Sequence, residues 1–225
     1  MNRLIKADLH VHTCYSPDCT TSLKATIDRC LKLGINCIAV TDHNTIAGGL
    51  EMQKSAPFTV IVGEEIKTSY GEIIGLFLAE EIPPGLSPKE TVSRIKAQGG
   101  LVCIPHPFDR VRRSPLKLQM IDEILPQTDI IEAFNSRTTF LRDSVRAQAL
   151  ARAHGLAASA GSDAHTAYEI GHAYVEMPEF SGVDEFRQAL VQGVIVGHRS
   201  VPWVHLASTL AKWRKRSAAS KATSD

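Results

Sequence analysis

The chain has 225 residues, of which 44% are hydrophobic and 22% charged, and a net charge of +1 with the histidines neutral. That describes one soluble globular domain with a sizeable core, and it excludes a global field that would gather nucleic acid. No stretch approaches the roughly 20 apolar residues that span a bilayer. Met1-Asn2-Arg3-Leu4-Ile5 leads straight into a histidine motif, so no signal peptide is expected either. The cysteines, Cys14, Cys19, Cys30, Cys37 and Cys103, are odd in number, which fits free thiols in a reducing cytoplasm. Cys14 and Cys19 form no four-thiolate site, because no second pair completes one.

Taken in order, strand-like and helix-like runs alternate. Leu4–Leu9 reads as a strand, followed by a turn at Ser16-Pro17-Asp18. Leu23, Ile27, Cys30 and Leu31 fall at helical spacing within Ser22–Leu33, and Gly34 supplies the stop. Ile35–Val40 is a strand ending in Thr41-Asp42-His43-Asn44, and a short helix over Ile46–Gln53 leads to a strand at Phe58–Val62. Glu65–Ser69 and Glu72–Leu78 read as two strands joined at Tyr70-Gly71. Pro88 suits the first turn of a helix over Pro88–Gln98. Leu101–Ile104 is a strand that stops at Pro105-His106-Pro107, Val111–Leu125 is mixed loop and helix, and Asp129–Phe134 is a strand ending at Asn135. A long helix over Thr139–His154 stops at Gly155, and Leu156–Ala160 is a strand ending in Gly161-Ser162-Asp163-Ala164-His165. His172–Met177, a helix over Val183–Gln192 and Val194–Gly197 complete the domain, residues 1–206. Residues 207–225 are basic, with Lys212, Arg214, Lys215, Arg216 and Lys221 against Asp225, and read as a surface helix or frayed tail.

About seven strand–helix units argue for a parallel sheet closed, or nearly closed, into a barrel with helices outside. The polar clusters then gather at one place. His10 and His12, at i and i+2 on one strand, share a face. His43, Glu65, His106, Asn135 and the pair Asp163 and His165 each end a further strand, and in a parallel barrel those ends converge on the face where active sites are built. With Asp18 they make nine candidate ligands, more than one ion needs, although Asn135 reads equally as an amide-oxygen ligand or as a hydrogen-bonding residue only. The mix of imidazole and carboxylate suits zinc, manganese or iron, and two or three ions sharing a carboxylate would leave no buried charge unpaired. Glu64 and Glu65 alternate faces, so one points in and the other out. Asp42 reads as a partner that orients a ligand, or as a turn former, rather than as a ligand itself. His154, His172, His198 and His205 belong to no cluster and are read as non-ligands.

These residues, in this order, resemble the PHP (polymerase and histidinol phosphatase) family. The matching motifs are Asp8-Leu9-His10-Val11-His12-Thr13, Ser16-Pro17-Asp18, Thr41-Asp42-His43, Gly63-Glu64-Glu65-Ile66, Pro105-His106-Pro107 and Gly161-Ser162-Asp163-Ala164-His165. The resemblance implies a distorted (β/α)7 barrel and up to three metals that hydrolyse phosphoesters. It implies one metal at His10, His12, Glu65 and Asp163. A second would share Glu65 with His106 and residue 135, and a third would take Asp18, His43 and His165. Three positions depart from the common pattern: Asp18, as in small nucleotide phosphatases of the family, Asn135, and Glu72 where many relatives have histidine.

The reading that follows is a metal-dependent phosphoesterase acting on a small nucleotide or sugar phosphate. Arg137, two residues beyond Asn135, is placed to clamp the phosphate, with Arg199 a second candidate and Arg110, Arg112 and Arg113 in a nearby loop. Asp163 or His165 would protonate the leaving oxygen if they are not fully occupied as ligands. The alternatives are a nuclease acting on DNA ends, a metal-dependent hydrolase of C–N or carboxylic ester bonds, and a metal-stabilised module without activity. Oligomeric state is not legible from these residues.

Overall fold

Strand β1 (Leu4–Val11) is buried over nearly its whole length, and everything else is laid down around it. The computed structural model describes residues 3–111, 115–201, 208–215 and 217. The further strands are β2 (Cys37–Val40), β3 (Thr59–Thr68), β4 (Gly71–Leu76), β5 (Leu101–Ile104), β6 (Ile130–Asn135), β7 (Ala157–Gly161), β8 (Ala173–Pro178) and β9 (Val194–Gly197). They form one sheet in the order β7-β6-β5-β4-β3-β2-β1-β8-β9. The two sides of that sheet meet where β7 returns to β1. Asp163 N–H donates to the His10 carbonyl at 2.7 Å, and His12 N–H to the Ala164 carbonyl at 3.0 Å. The first seven strands thus make a nearly closed barrel, with β8 and β9 as an extension.

Helices α1 (Leu23–Leu33), α2 (Ala47–Gln53), α3 (Pro88–Ala97), α4 (Leu118–Ile124), α5 (Leu141–His154) and α6 (Gly182–Val191) connect the strands. Their ends carry the expected chemistry. Ser22 and Ser87 accept the N–H groups of Ala25 and Glu90 at 3.2 Å, and Gly34 and Gly155 stop α1 and α5 in the left-handed conformation. Ile5, Ala7, Leu9, Cys37, Ala39, Ile61, Ile74, Leu76 and Cys103 belong to one core cluster with Phe186 of α6. Val62, Ile66, Val102, Ile104 and Ile131 pack against α3, α4 and α5, and Ile38, Val40 and Val60 against α1 and α2.

The sheet is not all parallel, as the alternating pattern suggests. β1-β2-β3 and β5-β6-β7 are parallel runs, but β4 is antiparallel to both neighbours, and β8 and β9 are antiparallel to theirs. The Tyr70-Gly71 hairpin causes the first reversal. A two-residue connection can only turn a strand back on itself, whereas a parallel neighbour needs a crossover. The segments read as separate strands at Phe58–Val62 and Glu65–Ser69 are also one strand, so Glu65 lies inside β3 rather than at its end.

One irregularity sets the direction of the histidines. Leu9 belongs to the core cluster and Val11 to the helix-side cluster, although residues two apart on a regular strand share a face. The pairing of β1 with β2 slips between Asp8 and Val11, and a slip of one residue turns the remaining side chains over. His10 and His12 are thereby delivered to the barrel's open end.

The β1–β7 closure permits no side chain at Gly161, where an added Cβ would lie 2.3 Å from the Cβ of His10 and 2.8 Å from its backbone nitrogen. Gly161→Ala is expected to cost about 1–3 kcal/mol through overpacking. Urea denaturation of the metal-free protein checks it, and an unchanged midpoint would mean that these strands are not held in contact.

Candidate metal centre

The strand ends bring five imidazoles, from His10, His12, His43, His106 and His165, around the carboxylates of Glu65, Asp163 and Asp18. Glu65 is at the centre and has no exposed surface. Its Oε1 lies 3.0 Å from His106 Nε2 and 3.6 Å from His10 Nε2. Its Oε2 lies 3.0 Å from His43 Nδ1 and 3.4 Å from His12 Nε2. Asp163 Oδ1 is 3.4 Å from His12 Nε2, and Asp18 is 3.4 Å from both His43 and His165. The donor atoms of His12, His43 and His165, of His10, His12 and Asp163, and of His10, His106 and Glu132 each lie within 4.8 Å of one another.

Hydrogen bonds fix which nitrogen of two key rings faces the centre. Ser16 has one hydroxyl proton, and it goes to Asp42 Oδ1 at 2.7 Å. Toward His12 Nδ1, 3.0 Å away, Ser16 can then only accept, so Nδ1 carries the proton and Nε2 turns a lone pair inward. His10 Nδ1 donates to Glu132 Oε1 at 2.9 Å, which leaves its Nε2 as the inward atom. The two Nε2 atoms are 3.1 Å apart. Two lone pairs at that distance repel, so either a proton, which the raised pKa of His10 supplies in the absence of metal, or a metal ion lies between them. Nitrogens each about 2.1 Å from one tetrahedral ion would be about 3.4 Å apart, so the pair fits a shared metal. Glu65 Oε2, fully buried between His43 Nδ1 at 3.0 Å and His12 Nε2 at 3.4 Å, fits the same ion chemistry.

The electrostatics agree. Burial works against charge on His10, but Asp163, Glu132 and Glu65 outweigh it and hold its pKa well above the ordinary value. Burial, together with His165 and His43, pushes His12 down to about 4. Burial also opposes ionisation of Glu65 and of Asp18. The histidines overcome it in both, His10 and His43 for Glu65, His165 and His43 for Asp18, and hold both carboxyls far below their usual range. The cluster thus keeps anionic oxygens and at least one neutral imidazole ready for positive charge.

Several expectations change in detail. Asn135 is not turned toward the cluster through its oxygen. Oδ1 accepts Arg137 N–H at 2.9 Å, while the amide nitrogen donates to Glu132 at 3.0 Å and Asp163 at 3.1 Å. Two carboxylates can only accept, so the NH2 must face them and the oxygen must face away. Arg137 is buried, not held out to solvent. Nε is 3.1 Å from Glu169, Nη1 is 2.7 Å from His165 Nδ1, and Nη2 donates to Ser208 Oγ at 2.6 Å. It braces His165 rather than standing ready for a phosphate. Arg199 is exposed and donates to the Thr139 carbonyl at 2.9 Å. Glu64 faces the helix side of β3, where burial raises its pKa to about 7 and it accepts Ile82 N–H at 2.9 Å. Glu72 shares a possible ligand cluster with His43 and Glu65. Cys19 is a buried thiol directed at the His165 and His12 carbonyls, with its pKa raised by burial to about 11, and not a thiolate ligand. Arg112, Arg113 and His205 lie outside the described residues.

Two residues escaped the sequence reading. Glu132 holds His10 and Asn135 with its side chain and accepts His106 N–H at 2.8 Å, so it orders three strand ends at once. Its signal was a lone carboxylate in the apolar run Ile130-Ile131-Glu132-Ala133-Phe134. Glu169 accepts the N–H groups of His165 and Thr166 and faces Arg137, so it fixes the loop after β7. It lies four residues past the last motif, and nothing in the spacing marks it.

A barrel whose open end collects imidazoles about a buried carboxylate defines the class of fold and site. The PHP domain model matches residues 8–109 and the PHP-associated PHP_C model residues 143–195, so the chain belongs to the PHP family. An uncharacterised protein of Methanocaldococcus jannaschii is 44% identical over 146 residues, 59% of this chain and 82% of that one. A two-domain protein from Bacteroides vulgatus, described as containing a PHP-like metal-dependent phosphoesterase, superposes with a TM-score of 0.71 at 18% identity, over 88% of this chain and 66% of that one. The lesion-specific endonuclease EndoQ of Pyrococcus furiosus superposes with a TM-score of 0.62 at 15% identity, over 84% of this chain and 56% of that one. At these identities the two solved structures share the fold, and this chain spans less than two thirds of their length.

Glu132→Gln exchanges an acceptor for an amide that cannot satisfy His10, Asn135 and His106 N–H together. Loss of such an orienting partner is expected to lower zinc affinity about 10–100-fold. Competition against a chromophoric chelator measures it, and an unchanged affinity would remove Glu132 from the centre.

Proposed function

We propose that this chain is a metal-dependent phosphohydrolase of small phosphoesters, of the nucleotide or sugar phosphate class. The observation that carries the reading is the facing pair His10 Nε2 and His12 Nε2 beside the buried carboxylate of Glu65, a donor set suited to zinc, manganese or iron. Two or three divalent ions are proposed. One side would use His10, His12, Glu65 and Asp163, with His106 adjoining through Glu65. The other would use Asp18, His43 and His165. Glu132 holds His10, His106 and Asn135 from behind the second position, and the amide nitrogen that Asn135 turns to Glu132 and Asp163 leaves its oxygen facing away from it.

Divalent ions held there supply Lewis acidity toward phosphoryl oxygens and acidify water toward neutral pH. The chain's own residues do the remainder. Glu132 and Ser16 fix the inward nitrogens of His10 and His12, so no reorganisation is needed when charge develops. His165, whose pKa is lowered by burial and by Arg137, is neutral near pH 7 and suits a ligand better than an acid. Asp163 Oδ1 faces His10, His12 and His165, which also suits a ligand. Support for phosphoesters comes from the family and from two solved relatives, one described as containing a phosphoesterase and the other an endonuclease, while a third solved neighbour is an amidohydrolase and makes C–N bonds the second reading. A free small phosphorylated substrate is the proposed partner, and the cytoplasm the proposed compartment. Among the described residues, no helix is long and apolar enough to cross a membrane.

Phosphate release from nucleotides, sugar phosphates, histidinol phosphate and short DNA tests this on protein reconstituted with manganese or zinc. Release is expected from the nucleotide or sugar phosphate group. Glu65→Gln should lose at least about a hundredfold in rate, in keeping with removal of a preorganised charge, while Glu64→Gln stays within a few-fold. No release from metal-loaded protein would redirect the reading to amide and ester substrates.

A further inference from the structure

A helix at residues 208–215, beyond β9, is tied across the metal face at both ends. At its start, Arg137 Nη2 donates to Ser208 Oγ at 2.6 Å. At its end, Lys215 Nζ donates to the carbonyls of Cys14 and Ser16 at 2.6 and 2.5 Å. Eight residues of helix span about 12 Å. Arg137 follows β6 and the Cys14–Ser16 turn follows β1, and in the closed barrel β7 lies between those two strands. The helix therefore crosses the end of β7, which carries Asp163 and His165. Both anchors are one contact from the cluster, since Arg137 touches His165 and Ser16 touches His12. Ala211, midway along, is buried at 8% exposure, while Leu210, Lys212, Trp213 and Arg214 are exposed. One face is seated on the protein and the other meets solvent.

We infer that this helix is a wall of the substrate cleft that confines the centre to phosphoesters with small substituents, and that Lys215 is its latch. The inference rests on the phosphoesterase reading. A nucleic-acid strand needs a continuous groove past the reacting phosphate, and a helix about 10–12 Å across blocks it on the β7 side. The exposed Lys212 and Arg214 place positive charge at the rim, which favours entry of a small anion. An ammonium bound to two carbonyls holds the wall with charged hydrogen bonds and leaves the metal ligands untouched.

The test uses the full chain as wild type, Lys215→Met and Lys215→Arg. Two quantities are read. The first is the rate on a single-stranded decanucleotide divided by the rate on p-nitrophenyl phosphate. The second is the rate of zinc transfer from loaded protein to a chromophoric chelator. Lys215→Met should raise both about tenfold, the change expected when a charged hydrogen bond is lost, and Lys215→Arg should restore wild-type values. Equal values for Lys215→Met and wild type in both readouts would overturn the inference while leaving the phosphoesterase reading intact. If wild type hydrolyses neither ester, that reading falls. The chelator rates then decide whether the helix shields the centre, and equal rates overturn the shield as well.

Discussion

The fold depends on one constraint, a carboxylate fully buried at the open end of a barrel. Ionised Glu65 could not persist there alone, because taking a charge out of water costs several kcal/mol. It persists because His10 and His12 from β1, His43 after β2 and His106 after β5 approach it from three strand ends. The architecture supplies those approaches. The slip in β1 turns His10 and His12 inward, the long β3 carries Glu65 past the point where its neighbours stop, and the β1–β7 closure brings Asp163 within reach.

The same demand explains the strained backbone at the strand ends. His106 and Asp163 adopt positive φ, at 30° and 53°, a conformation that side-chain-bearing residues seldom take. Such conformations persist only where the surroundings fix them. Here they do, since Glu132 accepts His106 N–H and the His10 carbonyl accepts Asp163 N–H. A further ring of oxygen acceptors surrounds the imidazoles. Asp42 takes the hydroxyl protons of Ser16 and Thr13, Asp8 takes the N–H groups of Ser162 and Gly171, and Glu169 takes those of His165 and Thr166. Burial raises the pKa of Asp8 to about 6, offset in part by the Ser162 and Gly171 hydrogen bonds. Position is thus fixed from outside the cluster, and the inward atoms are left for cations.

Much of this was legible in the sequence. Short-range spacing gave the His10/His12 pair and the opposed faces of Glu64 and Glu65. Strand and helix spans were also readable, because apolar runs and glycine stops are local signals. What was not legible depends on pairing between distant segments. Arg137 looks like a free cation until Glu169, 32 positions later, is seen beside it. Asn135 reads equally as a ligand or a hydrogen-bonding residue until two carboxylates are seen to claim its amide nitrogen. The antiparallel turn of β4 follows from a connection too short to cross over, a point the hairpin signal contained but the count of strand–helix units obscured.

The most direct test of the central claim is a crystal structure with anomalous scattering, from crystals grown with zinc or manganese. The account predicts an anomalous peak between His10 Nε2 and His12 Nε2, about 2.0–2.2 Å from each, with Glu65 contributing an oxygen. Crystals from metal-rich solution with no peak there, and with the two nitrogens still facing each other directly, would contradict it.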